Sequence, residues 1–411
     1  MSNVFSSGSA PEAPGLPRLL LLTNEPPLTV GAGSIVFHRL FSDYPPERLR
    51  VVTNAPPAPA EQRLACRYEC LPLLADRLNR TRFWPWRGAA RALGMGHLVS
   101  LRRIDRRLRD GFVPDVVVTL MQDSWMYDLA ARYARRRRLP LVLFIHDLAF
   151  GFEPVAPWLR GSQRRRDVAV YRRAAARLCV SQGMADYFLS EFGAPGEVLL
   201  PPAADTPPSQ TAEACRRLKK PGQLTLGYAG GLHYGYGEQL LAMLPVLRST
   251  GTKIELFGPP PGGSVATLQA ATDALHFNGY LTPPERAWEE LLKRCDAVLQ
   301  PYLNPAGGHA LQYRTHFPSK LGDCLSLGLP LLITGPTDAS GVKWCIQHPG
   351  CALVVSDPAP TALAAALRSL QSDASLRVAL AGYAQNVAGA FEPLALRTHL
   401  RATLCAISRP S

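Results

Sequence analysis

The sequence predicts an α/β protein of two domains that face one another across a cleft. Its 411 residues exceed one ordinary core and suit two domains of about 200 residues each. Short, fully apolar runs alternate with helical stretches, the pattern of parallel strands buried on both faces. That alternation occurs twice, on either side of a segment rich in Pro and Ala. Hydrophobic residues make up 47% of the chain and charged residues 19%, a balance that excludes global disorder.

The elements follow in order. Residues 1–16 are small, polar and Pro-rich with no basic start, so they read as a disordered tail and not as a signal peptide. The first domain spans 17–203. Leu19 to Leu22 is an apolar run broken by Pro26, Pro27, Gly31 and Gly33, and helical spacing resumes from Ile35 to Phe41. Leu49 to Thr53 is a second strand; Val116 to Leu120, a helix from Trp125 to Arg138, and Leu141 to Ile145 make the clearest strand–helix–strand unit. A strand at Leu178 to Val180, a helix over Met184 to Phe192 and a strand at Val198 to Leu200 complete it. Residues 204–223 form a linker by composition. The second domain, 224–390, repeats the pattern with strands at Leu224 to Ala229, Ile254 to Phe257, Phe277 to Tyr280, Ala297 to Gln300, Leu331 to Thr334 and Ala352 to Val355. An amphipathic helix from about Leu394 to Ile407 lies within a closing segment, 391–411.

Charge is uneven. Residues 1–210 hold 28 Arg, no Lys and 19 acidic residues, within a whole-chain formal charge of +13. Arginine in place of lysine reflects a GC-rich genome's codon usage first. Beyond that, the first domain attracts anions: a lipid headgroup, a phosphorylated acceptor or nucleic acid. Phe83, Trp84 and Trp86 followed by Arg102, Arg103, Arg106 and Arg107 would suit an anionic membrane surface, although a solvated arginine-rich helix face explains them as well. No apolar run reaches the roughly 18 residues a membrane span requires. Nine Cys are scattered singly apart from Cys66 and Cys70, which read as two buried thiols at helical i, i+4 spacing. A reducing, cytoplasmic compartment fits, with peripheral contact at the inner membrane face as its extension.

The chemistry concentrates between Phe317 and Pro330, FPSKLGDCLSLGLP. Pro318 suits the first turn of a helix, with Ser319 and Lys320 just inside it. Free N–H groups, a hydroxyl and an ammonium at one helix start are the parts of a phosphate site. Asp323, one turn on, is placed to accept hydrogen bonds from ribose hydroxyls. In the other glycine-rich turn of this half, Gly230 and Gly231 allow backbone amides to approach the same phosphates. In the first half, Gly31-Ala-Gly33 opens a helix after a strand, but Val36 stands where a dinucleotide fingerprint has its third glycine, so NAD and FAD are not expected. No spacing of His, Cys or carboxylates suggests a metal cage.

Pro318, Ser319, Lys320, Leu321, Asp323, Leu325, Gly328 and Pro330 resemble the motif Pro-x-Lys-Leu-x-Glu-Tyr-Leu-Ala-x-Gly-x-Pro of one branch of the family 4 retaining glycosyltransferases. "RLCVSQGMADYF" from Arg177, "LGYAGGL" from Leu226 and "FNGYL" from Phe277 extend the likeness along the chain. The resemblance implies a GT-B fold, two Rossmann-like domains facing across a cleft. It also implies a sugar-nucleotide donor such as a UDP- or GDP-sugar in the second domain, a hydroxyl acceptor in the first, and no metal or other cofactor. Nucleic acid is not expected as a partner; bacterial glycan biosynthesis is. Retention of configuration, an acceptor-facing position for His146 and Asp147, closure of the cleft on the donor, and a final helix bracing the first domain are further implications.

The chain departs from the family at three places. Thr315 stands where many members carry the first of two glutamates, and Asp323 where they carry the second. The Arg and Lys that usually follow the second glycine turn are missing, leaving His233 as the nearest substitute. These departures keep two alternatives in play: a sugar-nucleotide epimerase of the same fold, and a catalytically silent binding subunit.

Overall fold

The computed structural model describes residues 15–72, 96–148, 157–207, 214, 217–218, 220, 222–232, 235–302 and 311–408. The expectations for most of the N-terminal tail, for Phe83, Trp84 and Trp86, for His233 and for much of the linker fall outside these residues.

The first lobe is built on seven strands: β1 (Leu19–Thr23), β2 (Leu49–Thr53), β3 (Arg67–Cys70), β4 (Val116–Leu120), β5 (Leu141–Ile145), β6 (Ala176–Cys179) and β7 (Glu197–Val198). They lie in the order β3-β2-β1-β4-β5-β6-β7, every pair parallel. The runs that read as continuous apolar segments are the central strands, and β1, β2, β4 and β5 are buried along their whole length. Sealing each such Leu or Val side chain from water contributes about 1.5–3 kcal/mol. The described helices of this lobe are α1 (Ala32–Phe41), α2 (His97–Arg107), α3 (Ser124–Arg137), α4 (Pro157–Arg173) and α5 (Gln182–Phe192).

The second lobe carries β8 (Thr225–Ala229), β9 (Lys253–Phe257), β10 (Leu275–Phe277), β11 (Ala297–Pro301), β12 (Leu331–Thr334) and β13 (Leu353–Val355). Their order, β10-β9-β8-β11-β12-β13, is again parallel throughout and repeats the topology of the first sheet. Around them are α6 (Tyr236–Thr250), α7 (Pro284–Arg294), α8 (Gln312–Thr315), α9 (Leu321–Ser326), α10 (Ser340–Gln347), α11 (Pro360–Ser372) and α12 (Ala374–Val387). Both sheets have the doubly wound order 3-2-1-4-5-6, in which the direction of winding reverses beside the first strand and opens a crevice at the strands' carboxyl ends.

The last helix, α13 (Pro393–Ser408), packs on α1 of the first lobe. Leu400 and Leu404 enter the apolar layer formed by Phe37, Leu40 and Phe41. Arg397 reaches Asp43 (3.1 Å) and Asp205 (2.7 Å). Among the described residues, no helix is long and apolar enough to cross a membrane.

Two local expectations are corrected. Cys66 and Cys70 do not share a helix: Cys70 ends the edge strand β3 and Cys66 immediately precedes it. Charged and polar residues make up most of β3, so it lacks the apolar run by which the inner strands are recognised. The phosphate helix starts later than expected, because Pro318 and Ser319 form a turn, Lys320 is the N-cap and the first helical residue is Leu321. That helix is short, six residues, and ends ahead of Gly328.

Candidate active site

The carboxyl ends of both sheets meet at one cavity of about 290 Å³ between the lobes. From the first lobe it is lined by Glu25 beyond β1, Gly33 and Val36 on α1, Gln122 beyond β4, His146 and Asp147 beyond β5, and Val180 beyond β6. From the second come Tyr228, Gly230 and Gly231 at the end of β8, Tyr236 on α6, and the run Phe317, Pro318, Ser319 and Lys320. Three other cavities are larger, of about 450 Å³ between α3 and α4, about 610 Å³ lined from α5, α8 and α10, and about 370 Å³ between β7 and α13, but none lies where the carboxyl ends of both sheets converge. Topology therefore identifies the site better than volume does.

Lys320 is the cation on the second-lobe side of this cavity. Its ammonium donates to the carbonyl of Ala229 (2.7 Å) and sits 3.9 Å from the ring centroid of Tyr228. A cation over an aromatic face is attracted by the ring quadrupole. Burial pushes its pKa down to about 8. Gly230 passes beside it with φ 146°, a conformation that residues with a Cβ rarely adopt, so the turn that brings the backbone to the ammonium calls for glycine. The two amides of the turn differ in use. Gly230 N–H is donated to the Phe257 carbonyl (2.8 Å), whereas Gly231 meets Tyr228 through its carbonyl, which accepts the phenol O–H (2.7 Å). Gly230 thus serves as the packing glycine, a correction to the expectation that both amides reach a phosphate.

His146 lies against Phe37, ring centroids 5.4 Å apart, at the end of β5. Burial, with His316 adding to it, holds its pKa down to about 4, so the imidazole is neutral over the physiological range, able to accept a hydrogen bond but resistant to protonation. Asp147 accepts from the amide of Leu148 (2.7 Å) and from Gln312 (3.3 Å) of the opposite lobe. His316 approaches the Tyr236 hydroxyl at 3.3 Å, and burial lowers its pKa while Asp147 opposes the shift.

Gly31, with φ 87°, caps α1, and Gly33 lies inside its first turn and faces the cavity. A Cβ at Gly33 would collide with Oε2 of Glu25, whose carboxyl therefore lies across the amino end of the helix. Burial raises the pKa of Glu25; a hydrogen bond with Gln122 works against that and the charge of Asp147 adds to it. Asp123 plays a different part from its neighbour Gln122, since its carboxylate caps α3 by accepting from the amides of Trp125 and Met126.

Asp323 is the main revision. It does not line the cavity but is buried at the lobe contact, where its oxygens accept from the Arg39 guanidinium (2.9 and 3.1 Å) and from the Ala204 amide (2.7 Å). A carboxylate so occupied does not present itself to a ribose. Thr315 is also turned inward: its hydroxyl donates to the Leu311 carbonyl (3.0 Å), and its own carbonyl accepts from Ser181 (2.6 Å) of the first lobe. Among the described residues, no group of three or more His, Cys, Asp or Glu lies close enough together to hold a metal ion.

The fold and the glycosyltransferase resemblance agree with known proteins. Residues 37–203 match the family model of the glycosyl transferase 4-like domain. No curated protein matches the chain by sequence. Among solved structures, Anabaena HepE in complex with UDP and glucose is similar with a TM-score of 0.66 at 14% identity, covering 95% of this chain and 100% of that one. WaaG, a glycosyltransferase involved in lipopolysaccharide biosynthesis, gives 0.60 at 16% identity, with 94% and 99% covered. Sucrose-phosphate synthase from Thermosynechococcus elongatus gives 0.63 at 14% identity, with 93% and 96% covered. Residues 37–203 thus form a glycosyl transferase 4-like domain, and the two Rossmann-like lobes give the chain the GT-B fold along nearly its whole length.

Proposed function

We propose that this enzyme moves a sugar from a nucleotide-diphosphate donor to a hydroxyl acceptor, with the donor's diphosphate against Lys320. The observation that carries the reading is an ammonium, held beside a glycine turn, in the cavity where the carboxyl ends of both sheets converge. Negative charge grows on the diphosphate as the glycosidic bond breaks, so a cation fixed at that point stabilises the transition state more than the ground state. An ammonium has three donors and Ala229 takes one, so Lys320 can turn others to phosphate oxygens. Ser319 and the Gly231 amide supply neutral donors along the same wall. HepE is in complex with UDP and glucose, which supports a UDP- or similar sugar as donor here.

On the facing wall, neutral His146 is placed to orient the acceptor hydroxyl through a hydrogen bond and Asp147 to take up its proton. No metal is required in this scheme, since Lys320 supplies the charge that a divalent ion would otherwise bring. Retention of configuration is part of the proposal on the strength of the family resemblance.

The test is turnover with a panel of UDP-, GDP- and dTDP-sugars followed by product NMR. The expected result is slow hydrolysis of one donor and faster transfer once an acceptor is added, with the anomeric configuration of the product unchanged from the donor. Glu25 and Asp147 place two carboxyls in the cavity, which is the feature an epimerase would need, and conversion of a donor to its epimer without acceptor would favour that reading. A panel in which no donor binds or reacts would contradict both.

A further inference from the structure

The walls of the cavity carry opposite charge. Lys320 lies on the second-lobe wall, while the first-lobe wall is lined by Glu25, Gln122, His146 and Asp147 and by no arginine or lysine among the described residues. This is notable in a half-chain of 28 arginines. Arg39, on the helix that borders the cavity, turns instead to Asp323 and Glu285. Among the described residues, the basic character that suggested a phosphorylated acceptor therefore does not reach the first lobe's wall of the cavity.

Glu25 is built into that wall. The Thr23 side-chain oxygen accepts from the Glu25 amide (3.1 Å) and its hydroxyl donates to the Glu25 carbonyl (3.0 Å), fixing the backbone where β1 ends. The missing Cβ of Gly33 makes room for the carboxyl across the first turn of α1, where a helix terminus favours negative charge. Glu25 thereby puts a carboxyl of the chain's own beside the glycine turn. A phosphate would have to displace it and face Asp147 as well.

Resting on the glycosyl-transfer reading, we propose that the acceptor end entering this cavity is an uncharged polyol, a sugar without phosphate, and that Glu25 binds its hydroxyls. A hydroxyl donates to a carboxylate in a charge-assisted hydrogen bond, whereas a phosphate on the same wall meets two like charges in a setting shielded from water. Gln122 holds Glu25 from the side and Asp147 offers a second acceptor next to neutral His146. The wall thus selects for hydroxyl donors and against anions.

The full-length protein, saturated with whichever nucleotide diphosphate the donor panel identifies, is titrated with glucose, mannose and galactose and with their 6-phosphates, using saturation-transfer NMR. The unphosphorylated sugars are expected to bind at least about tenfold more tightly than their phosphates. Glu25→Gln should weaken the sugars about tenfold and narrow the discrimination, Glu25→Asp should restore part of it, and the nucleotide Kd should stay within about twofold for both. Sugar phosphates binding as well as the sugars, or no response of either class to Glu25→Gln, overturns the inference. So does a loss of nucleotide affinity in parallel with sugar affinity, since that marks a general disturbance of the fold. Failure of every nucleotide to bind the parent protein instead removes the glycosyl-transfer reading, so the two failures are told apart.

Discussion

At the scale of single residues, protonation decides what the cavity can do. Lys320 is half-buried against Tyr228, and burial brings its pKa down to about 8, so it is charged below that pH and neutral above it. A diphosphate binds the charged form. Donor Kd measured by calorimetry at constant ionic strength should therefore be flat below pH about 7.5 and rise by up to about tenfold per pH unit above 8. Equal Kd values at pH about 7 and about 9.5 would contradict this. His146, held near 4 by burial, contributes no step between pH about 5 and 8, because it is already neutral throughout that range. A step on the acid side of the activity profile must then come from another group, and Glu25, whose pKa burial raises above the ordinary carboxyl value, is the nearest candidate in the cavity.

At the scale of elements, α9 and α1 are joined by a charge pair buried at the lobe contact. Arg39 and Asp323 stand 284 residues apart in sequence and 2.9 Å apart in space. Removing one partner leaves the other charge buried alone, so Asp323→Ala should destabilise the fold by about 3–5 kcal/mol in urea unfolding, while Arg39→Met with Asp323→Leu should recover most of that loss. Donor affinity separates this role from ribose binding. The double variant keeps its donor if Asp323 ties the lobes together, and loses it if the carboxylate holds the nucleotide.

This pair also shows which features could be read from the sequence. Apolar runs disclose the inner strands because a parallel strand buried on both faces has no polar side to hide it, as β1, β4 and β5 illustrate. The edge strand β3 has no such run. Gly230, Gly231, His146 and Asp147 were legible because each sits at a glycine turn or just beyond an apolar run, and Lys320 because it follows a proline suited to start a helix. Glu25, Tyr228, Tyr236, Gln312 and His316 carry no local signal, and only the registration of the two sheets brings them to one cavity. The start of α9 was misplaced because Pro318 suits a preceding turn as well as a first helical turn.

At the scale of the molecule, two parallel sheets of matching strand order direct their carboxyl ends at one another, and the chain then returns through α13 to brace the lobe where it began. The formal charge of +13 does not describe the interior, where a cationic wall faces an anionic one. On the proposed reading, that polarity puts the diphosphate in the second lobe and the hydroxyl in the first. Lys320 anchors the assignment, and the most direct measurement is the Kd of UDP- and GDP-sugars for the parent and for Lys320→Ala by calorimetry. A charge-assisted contact to a diphosphate is worth about 1.5–3 kcal/mol, so the variant should bind its donor about 10- to 100-fold more weakly at neutral pH. A variant that binds the same donor with the parent's Kd would contradict the account.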